Sequence, residues 1–196
     1  MISKKTQELK KIKDEILDLK SSPLYNYRKQ NKYFPVIGEG NHDASIMFIG
    51  EAPGKNEAMS GRPFCGRSGN FLDELLLHIG IDRKDVYVTN IVKDRPPENR
   101  DPSPEEISIY GPFLDRQIEI IKPKIIATLG RYAMEYIMKK FDLDLQIEPI
   151  SKIHGRMFKT NKGSSIIPLY HPAVAIYNSG QKDVLKKDFE SLKTML

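Results

Sequence analysis

The sequence predicts an α/β sandwich around a mainly parallel sheet, on three observations. Short, branched apolar runs recur at 46–49, 85–90, 124–130 and 165–170, each the length of a buried strand. Segments of helical periodicity alternate with them, the order required by a parallel sheet with crossover helices. A glycine-rich stretch, GEAPGKNEAMSGRPFCGRSG from Gly50 to Gly69, follows the first run and leads into a helix. That is the arrangement in which such a sheet presents a ligand site at the carboxyl ends of its strands.

Taken in order, residues 3–20 carry Leu9, Ile12, Ile16 and Leu19 on one helical face, with lysines elsewhere, and Ser21-Ser22-Pro23 ends that helix. A polar, tyrosine-rich passage runs to Gly38-Glu39-Gly40, and Ile46-Met47-Phe48-Ile49 is the first strand. The loop after it holds Gly50, Gly54, Gly61, Gly66 and Gly69, which let backbone approach a ligand closely. A loop of that length inside a compact domain is usually functional. Phe71, Leu72, Leu75, Leu76 and Ile79 make 70–79 an amphipathic helix, and 85–90 is a second strand that delivers Asn90 at its carboxyl end.

Pro96, Pro97, Pro102 and Pro104 exclude regular structure through DRPPENRDPSP. Ser103 then reads as a helix cap, with Pro104 in the first helical position and Glu105 and Glu106 in the first turn of a helix to about Ile121. A third strand at 124–130 precedes a helix at 131–141; 150–158 reads as a short strand or hairpin edge. The fourth strand, 165–170, ends at His171-Pro172, and a helix at 181–195 offers Val184, Leu185, Phe189, Leu192 and Leu196 as its apolar side. The glycine loop, Asn90 and His171 each follow a strand of one sheet, so they can meet at one edge.

Bulk properties bound the function. With 196 residues, 39% hydrophobic and 29% charged, the chain is expected to form one soluble domain over 1–196, with an N-terminal helical segment, 1–22, packed on it. No apolar run is long enough for a transmembrane helix, so no membrane partner is expected, and the N-terminus is too polar for a signal peptide. The single cysteine, Cys65, excludes an internal disulfide and fits a reducing compartment, hence the cytoplasm, nucleoid-associated if the cell is prokaryotic; a monomer is expected. A net charge of +5 favours a polyanionic partner. His42, His78, His154 and His171 are scattered without metal-ligand spacing, so no metal or other cofactor is expected. GEAPGKN is one residue short of a phosphate loop, and Asn56 stands where a hydroxyl should bind magnesium.

Three motifs, GEAPGKNEAMSGRPFCGRSG, TNIVKDRPPENRDPSPEEI and YHPAVAI, resemble in order and spacing the uracil-DNA glycosylase superfamily, most closely its family 4, the iron-sulfur type. The resemblance runs from about Pro23 to the C-terminus. It implies a three-layer α/β/α sandwich with a central four-stranded, mainly parallel sheet. The implied activity is monofunctional hydrolysis of the N-glycosidic bond of deoxyuridine in single- or double-stranded DNA, the first step of base excision repair.

By that resemblance Phe64 stacks on an extruded base and His171 donates a hydrogen bond to uracil O2. Two carboxylates of the loop, Glu51 and Glu57, are candidates to place the attacking water; the resemblance favours Glu57, with Glu51, Ala52 and Gly54 shaping the base pocket. Asn90 suits uracil chemically: its amide oxygen accepts from N3–H while its NH2 donates to O4, and cytosine presents the reverse pattern. Pro172, Ala173 and Val174-Ala175-Ile176-Tyr177 are expected at the DNA groove. Arg62, Arg67, Lys93, Arg95 and Arg100 are expected at phosphates.

Two departures matter. The aspartate of other branches, which would stand at Ala52, is absent, and the positions of the four cluster cysteines hold Leu19, Ser22, Asp94 and Tyr110. Clusters of this kind need thiolates, so a cluster-free relative is expected, with Leu19 and Tyr110 packing and Ser22 and Asp94 hydrogen bonding. No histidine lies between Lys93 and Pro104, so the covalent capture used by another branch is not expected. A non-catalytic binder of uracil-containing or damaged DNA, or a glycosylase for another deaminated base, remains open at this point.

Overall fold

The computed structural model describes residues 3–178 and 180–194. Helix α1, Lys4–Leu17, begins where the Ser3 hydroxyl accepts from the Thr6 N–H, and buries Leu9, Ile12 and Ile16. Next come α2 (Tyr25–Gln30), β1 (Glu39–Gly40), β2 (Ile46–Gly50), α3 (Lys55–Ser60), α4 (Arg67–His78) and β3 (Tyr87–Asn90). Helix α5, Pro104–Ile121, starts with a reciprocal box in which Ser103 Oγ accepts from the Glu106 N–H while the Glu106 carboxylate accepts from the Ser103 N–H. After it follow β4 (Ile125–Leu129), α6 (Arg131–Lys140), α7 (Ile150–Ile153), β5 (Phe158–Lys159), β6 (Ser165–Leu169), α8 (Val174–Tyr177) and α9 (Gly180–Thr194). Leu196, expected on the apolar side of the last helix, lies outside the described residues.

The sheet has six strands in the order β1-β3-β2-β4-β6-β5 rather than the four expected. The inner four are the expected ones and pair in parallel. The extra two, β1 and β5, are antiparallel edges of two residues each, too short to show any periodicity in sequence. The 150–158 stretch divides into one helical turn, α7, and β5. Two six-residue helices, α2 and α3, occupy stretches that read as irregular, because a helix that short depends on its neighbours rather than on its own propensity.

Side chains alternate across the sheet and build a core on each face. In β2, Met47 and Ile49 join α1, α5 and α6 on one side, while Ile46 and Phe48 join α4 and α9 on the other. Phe48 stacks on Phe189 of α9 with ring centroids 5.8 Å apart. This is the three-layer α/β/α sandwich. Since β2 is followed by β3 on one side and β4 on the other, the strand order reverses at β2, and the cleft belongs at the carboxyl ends there.

Candidate active site

Three strand ends deliver the site. Gly50 closes β2, Asn90 closes β3, and His171 lies two residues beyond β6. A cavity of ≈ 340 Å³ opens between them, lined by Glu51, Ala52, Gly54, Glu57, Phe64, Ser68, Asn90, Asn99, His171 and Ala173. Every residue expected at the base or in catalysis is therefore on its wall. Ser68 and Asn99 were not anticipated. Asn99 held the one available signal, an asparagine after two prolines, and it adopts the left-handed conformation, φ 56°.

The loop is shaped by close approach. A Cβ on Gly50 would lie 2.3 Å from Asn90 Oδ1 and 2.7 Å from Phe64 Cζ, so both groups close over this glycine. A Cβ on Gly69 would lie 1.8 Å from the Phe64 carbonyl oxygen. Phe64 itself takes φ 49°, a costly conformation for a bulky residue and one concentrated at functional sites. Its ring lies 5.6 Å from that of His171 at an interplanar angle of 30°, and both residues line the cavity.

Asn90 is 2% exposed, and its side-chain amide makes no hydrogen bond to any described residue. Buried polar groups are ordinarily paired, so an unpaired amide on a cavity wall is set for a ligand. His171 Nδ1 accepts from the Ala173 backbone N–H at 3.1 Å. A nitrogen that accepts carries no hydrogen, so the neutral ring holds its proton on Nε2. Burial pushes the His171 pKa down to about 4, against a smaller upward pull from Glu57. At neutral pH it is an uncharged donor.

Glu57 is anchored: its Oε1 accepts from the N–H groups of Cys65 and Gly66 at 3.0 and 2.9 Å. Oε2 turns towards Gly54, where a Cβ would stand only 2.8 Å away. Glu51, by contrast, has no hydrogen-bond partner for its carboxyl among the described residues. Burial, with Asp101 nearby, pushes its pKa up to about 7, and Arg131 acts in the opposite sense. Replacing Asp101 with Asn is expected to lower the Glu51 titration midpoint, as read from carboxyl carbon shifts, because a negative neighbour is removed.

The family described as the uracil DNA glycosylase superfamily matches residues 37–193. The chain belongs to the uracil-DNA glycosylase superfamily. Among curated relatives, a Type-4 uracil-DNA glycosylase of Saccharolobus solfataricus is 46% identical over 189 residues, covering 94% of this chain and 85% of that protein. A Type-4 enzyme of Sulfurisphaera tokodaii is 42% identical over 191 residues, covering 95% and 84%. One of Archaeoglobus fulgidus is 39% identical over 189 residues, covering 95% and 92%.

Within this glycosylase, some residues expected at DNA need correction. Lys93 is 0% exposed and cannot reach a phosphate. Its basic neighbours in sequence hid the fact that it points into the fold. Pro172 and Ala175 are buried too, leaving Ala173, Val174 and Ile176, all half-buried, as the described side chains of that segment able to meet a groove; the side chain of Tyr177 lies outside the described ones. Arg62 is exposed but held by Glu39, Arg100 by Glu106, and Arg95 donates to Asn99 Oδ1 and the Tyr33 hydroxyl. Arg67 is exposed and makes no ion pair with a described residue.

The four positions that hold cluster cysteines in the resembled family do not fit an iron-sulfur cluster. Leu19 packs on the core, and the other three hydrogen bond to one another. The Tyr110 hydroxyl donates to Asp94 Oδ2 at 2.6 Å, so the Ser22 hydroxyl, 2.8 Å away, donates to the tyrosine oxygen. Arg28, 3% exposed, lies 3.4 Å from Asp94 Oδ1 and donates to the carbonyls of Ile16 and Leu17. The network ties the end of α1 to the loop after β3 and to α5. Tyr110→Phe removes its central hydroxyl and is expected to cost about 1–3 kcal/mol in urea unfolding, because Asp94 is left buried without that donor.

Proposed function

We propose that this glycosylase hydrolyses the N-glycosidic bond of deoxyuridine in DNA, releasing uracil and leaving an abasic site, and that it does so without an iron-sulfur cluster. Membership sets the class of enzyme, a monofunctional glycosylase. The observation that carries the substrate is the unpaired amide of Asn90, which lines the same cavity as the Phe64 ring and a neutral His171.

An extruded base stacks on Phe64, which offsets part of the cost of leaving the duplex. Asn90 pairs with N3–H and O4 of uracil, whereas cytosine would leave donors facing donors, a mismatch able to discriminate by several orders of magnitude. As the C–N bond breaks, negative charge collects on the base. The Nε2–H of His171, aimed at O2, is worth more in that state than in the ground state. The sugar acquires oxocarbenium character, which a carboxylate stabilises while water adds. Glu57 suits this part because its Oε1 is fixed by two N–H groups while Oε2 has no hydrogen-bond partner among the described residues. Arg67, with Val174 and Ile176, meets the DNA, single- or double-stranded, and the enzyme works as a cytoplasmic monomer.

The cluster-free reading rests on the donor set: no thiol stands at Leu19, Ser22, Asp94 or Tyr110, and a buried polar network joins the same segments. The test is strand scission on oligonucleotides containing uracil, hypoxanthine or thymine, with chelator present, alongside iron and sulfide analysis of the purified protein. Abasic product from uracil by iron-free protein is the expected result. Tight DNA binding without product, or stoichiometric iron, contradicts the proposal.

A further inference from the structure

The least expected side chain in the fold is Lys93, fully buried directly behind the site. Its Nζ lies 2.8 Å from Thr89 Oγ1, 2.6 Å from the Asn90 carbonyl oxygen and 2.6 Å from Gln117 Oε1. Counting hydrogens identifies its state. The Thr89 hydroxyl spends its only hydrogen on the Ile37 carbonyl at 2.7 Å, so towards Lys93 it accepts. Gln117 donates Nε2–H to that same carbonyl at 2.9 Å, which fixes its amide with Oε1 facing the lysine. Three acceptors need three N–H donors, and only the charged ammonium has three. Burial pushes the lysine pKa well down; the three acceptors at hydrogen-bond distance are the geometry that favours the charged form.

No carboxylate is among these partners. An isolated buried cation is a costly feature, and an apolar chain of the same length would fill the space without that cost. The ammonium is fixed against the backbone of the residue whose side chain reads the base. We propose that Lys93 is a positioning residue for departure of the base: its ammonium fixes Asn90 from behind and supplies a stationary positive charge for the anion that forms in the pocket. This rests on the glycosylase reading above and deepens it. The cation acts through Asn90, which it contacts, and water is excluded from the gap, so its field is weakly screened.

The test compares single-turnover excision of uracil and of 5-fluorouracil from otherwise identical oligonucleotides. Fluorine stabilises the departing anion, so the fluorinated base depends less on a protein charge. Lys93→Met is expected to slow uracil release by about 30-fold and 5-fluorouracil release by no more than about 5-fold, with DNA affinity little changed. Equal losses for both bases, or no loss, overturn the proposal, since a merely structural lysine would not discriminate between leaving groups. Should Lys93→Met fail to fold, Gln117→Glu sets a carboxylate on the ammonium and neutralises it. The same unequal loss is then expected, and equal loss again refutes it. A wild type that releases neither base would instead overturn the glycosylase reading itself.

Discussion

Replacing His171 with alanine is expected to slow single-turnover uracil release by about 10²–10³-fold while leaving DNA affinity within about threefold of wild type, the usual cost of losing one donor to a developing anion. The reason lies in the ring's protonation. Nδ1 is committed to the Ala173 N–H, and burial holds the pKa near about 4, so the ring on the cavity wall keeps a neutral Nε2–H throughout the physiological range. Such a donor gains strength only as charge builds on the base, which is why the rate and not the affinity should respond. The same burial has a signature in stability. Between about 4 and the ordinary 6.5 the unfolded chain binds a proton that the folded chain refuses, so this group makes the fold less stable as pH falls through that window. His171→Ala should remove that part of the pH dependence in urea titrations.

Gly50→Ala is expected to cost about 10²-fold in rate, with only a small loss of stability. The new methyl would stand 2.3 Å from Asn90 Oδ1 and 2.7 Å from Phe64 Cζ, closer than any real contact. These atoms are the ends of side chains bordering a cavity, so they can turn aside and the chain still folds. Turning aside misaligns the reading amide and the stacking ring together. Thermal unfolding close to wild type, with uracil release strongly impaired, is the expected pair of results.

Much of this site was legible in sequence because glycines, a strand-end asparagine and a strand-end histidine are local signals. The four inner strands were readable because short, branched apolar runs are local signals too. What escaped was decided by distant partners. The direction of Lys93 is set by Thr89 and Gln117, and nothing near it in sequence distinguishes it from Arg95 and Arg100, which follow and are not buried. The commitments of Arg62 to Glu39 and of Arg100 to Glu106 likewise span folded loops. The edge strands β1 and β5 exist only because a longer strand lies beside each to pair with. At the cluster positions the sequence suggested packing and hydrogen bonds, but not that Arg28 would join them and reach the carbonyls at the end of α1.

The proposed function requires that Phe64, Asn90 and His171 surround one pocket able to hold a pyrimidine. Titrating free uracil into isotope-labelled protein, while following the Asn90 side-chain NH2, the His171 ring and the Phe64 ring by nuclear magnetic resonance, tests it directly. All three sets of signals are predicted to shift together with a single binding constant, and cytosine to move none of them. Shifts confined to one of the three, or an equal response to cytosine, would contradict it.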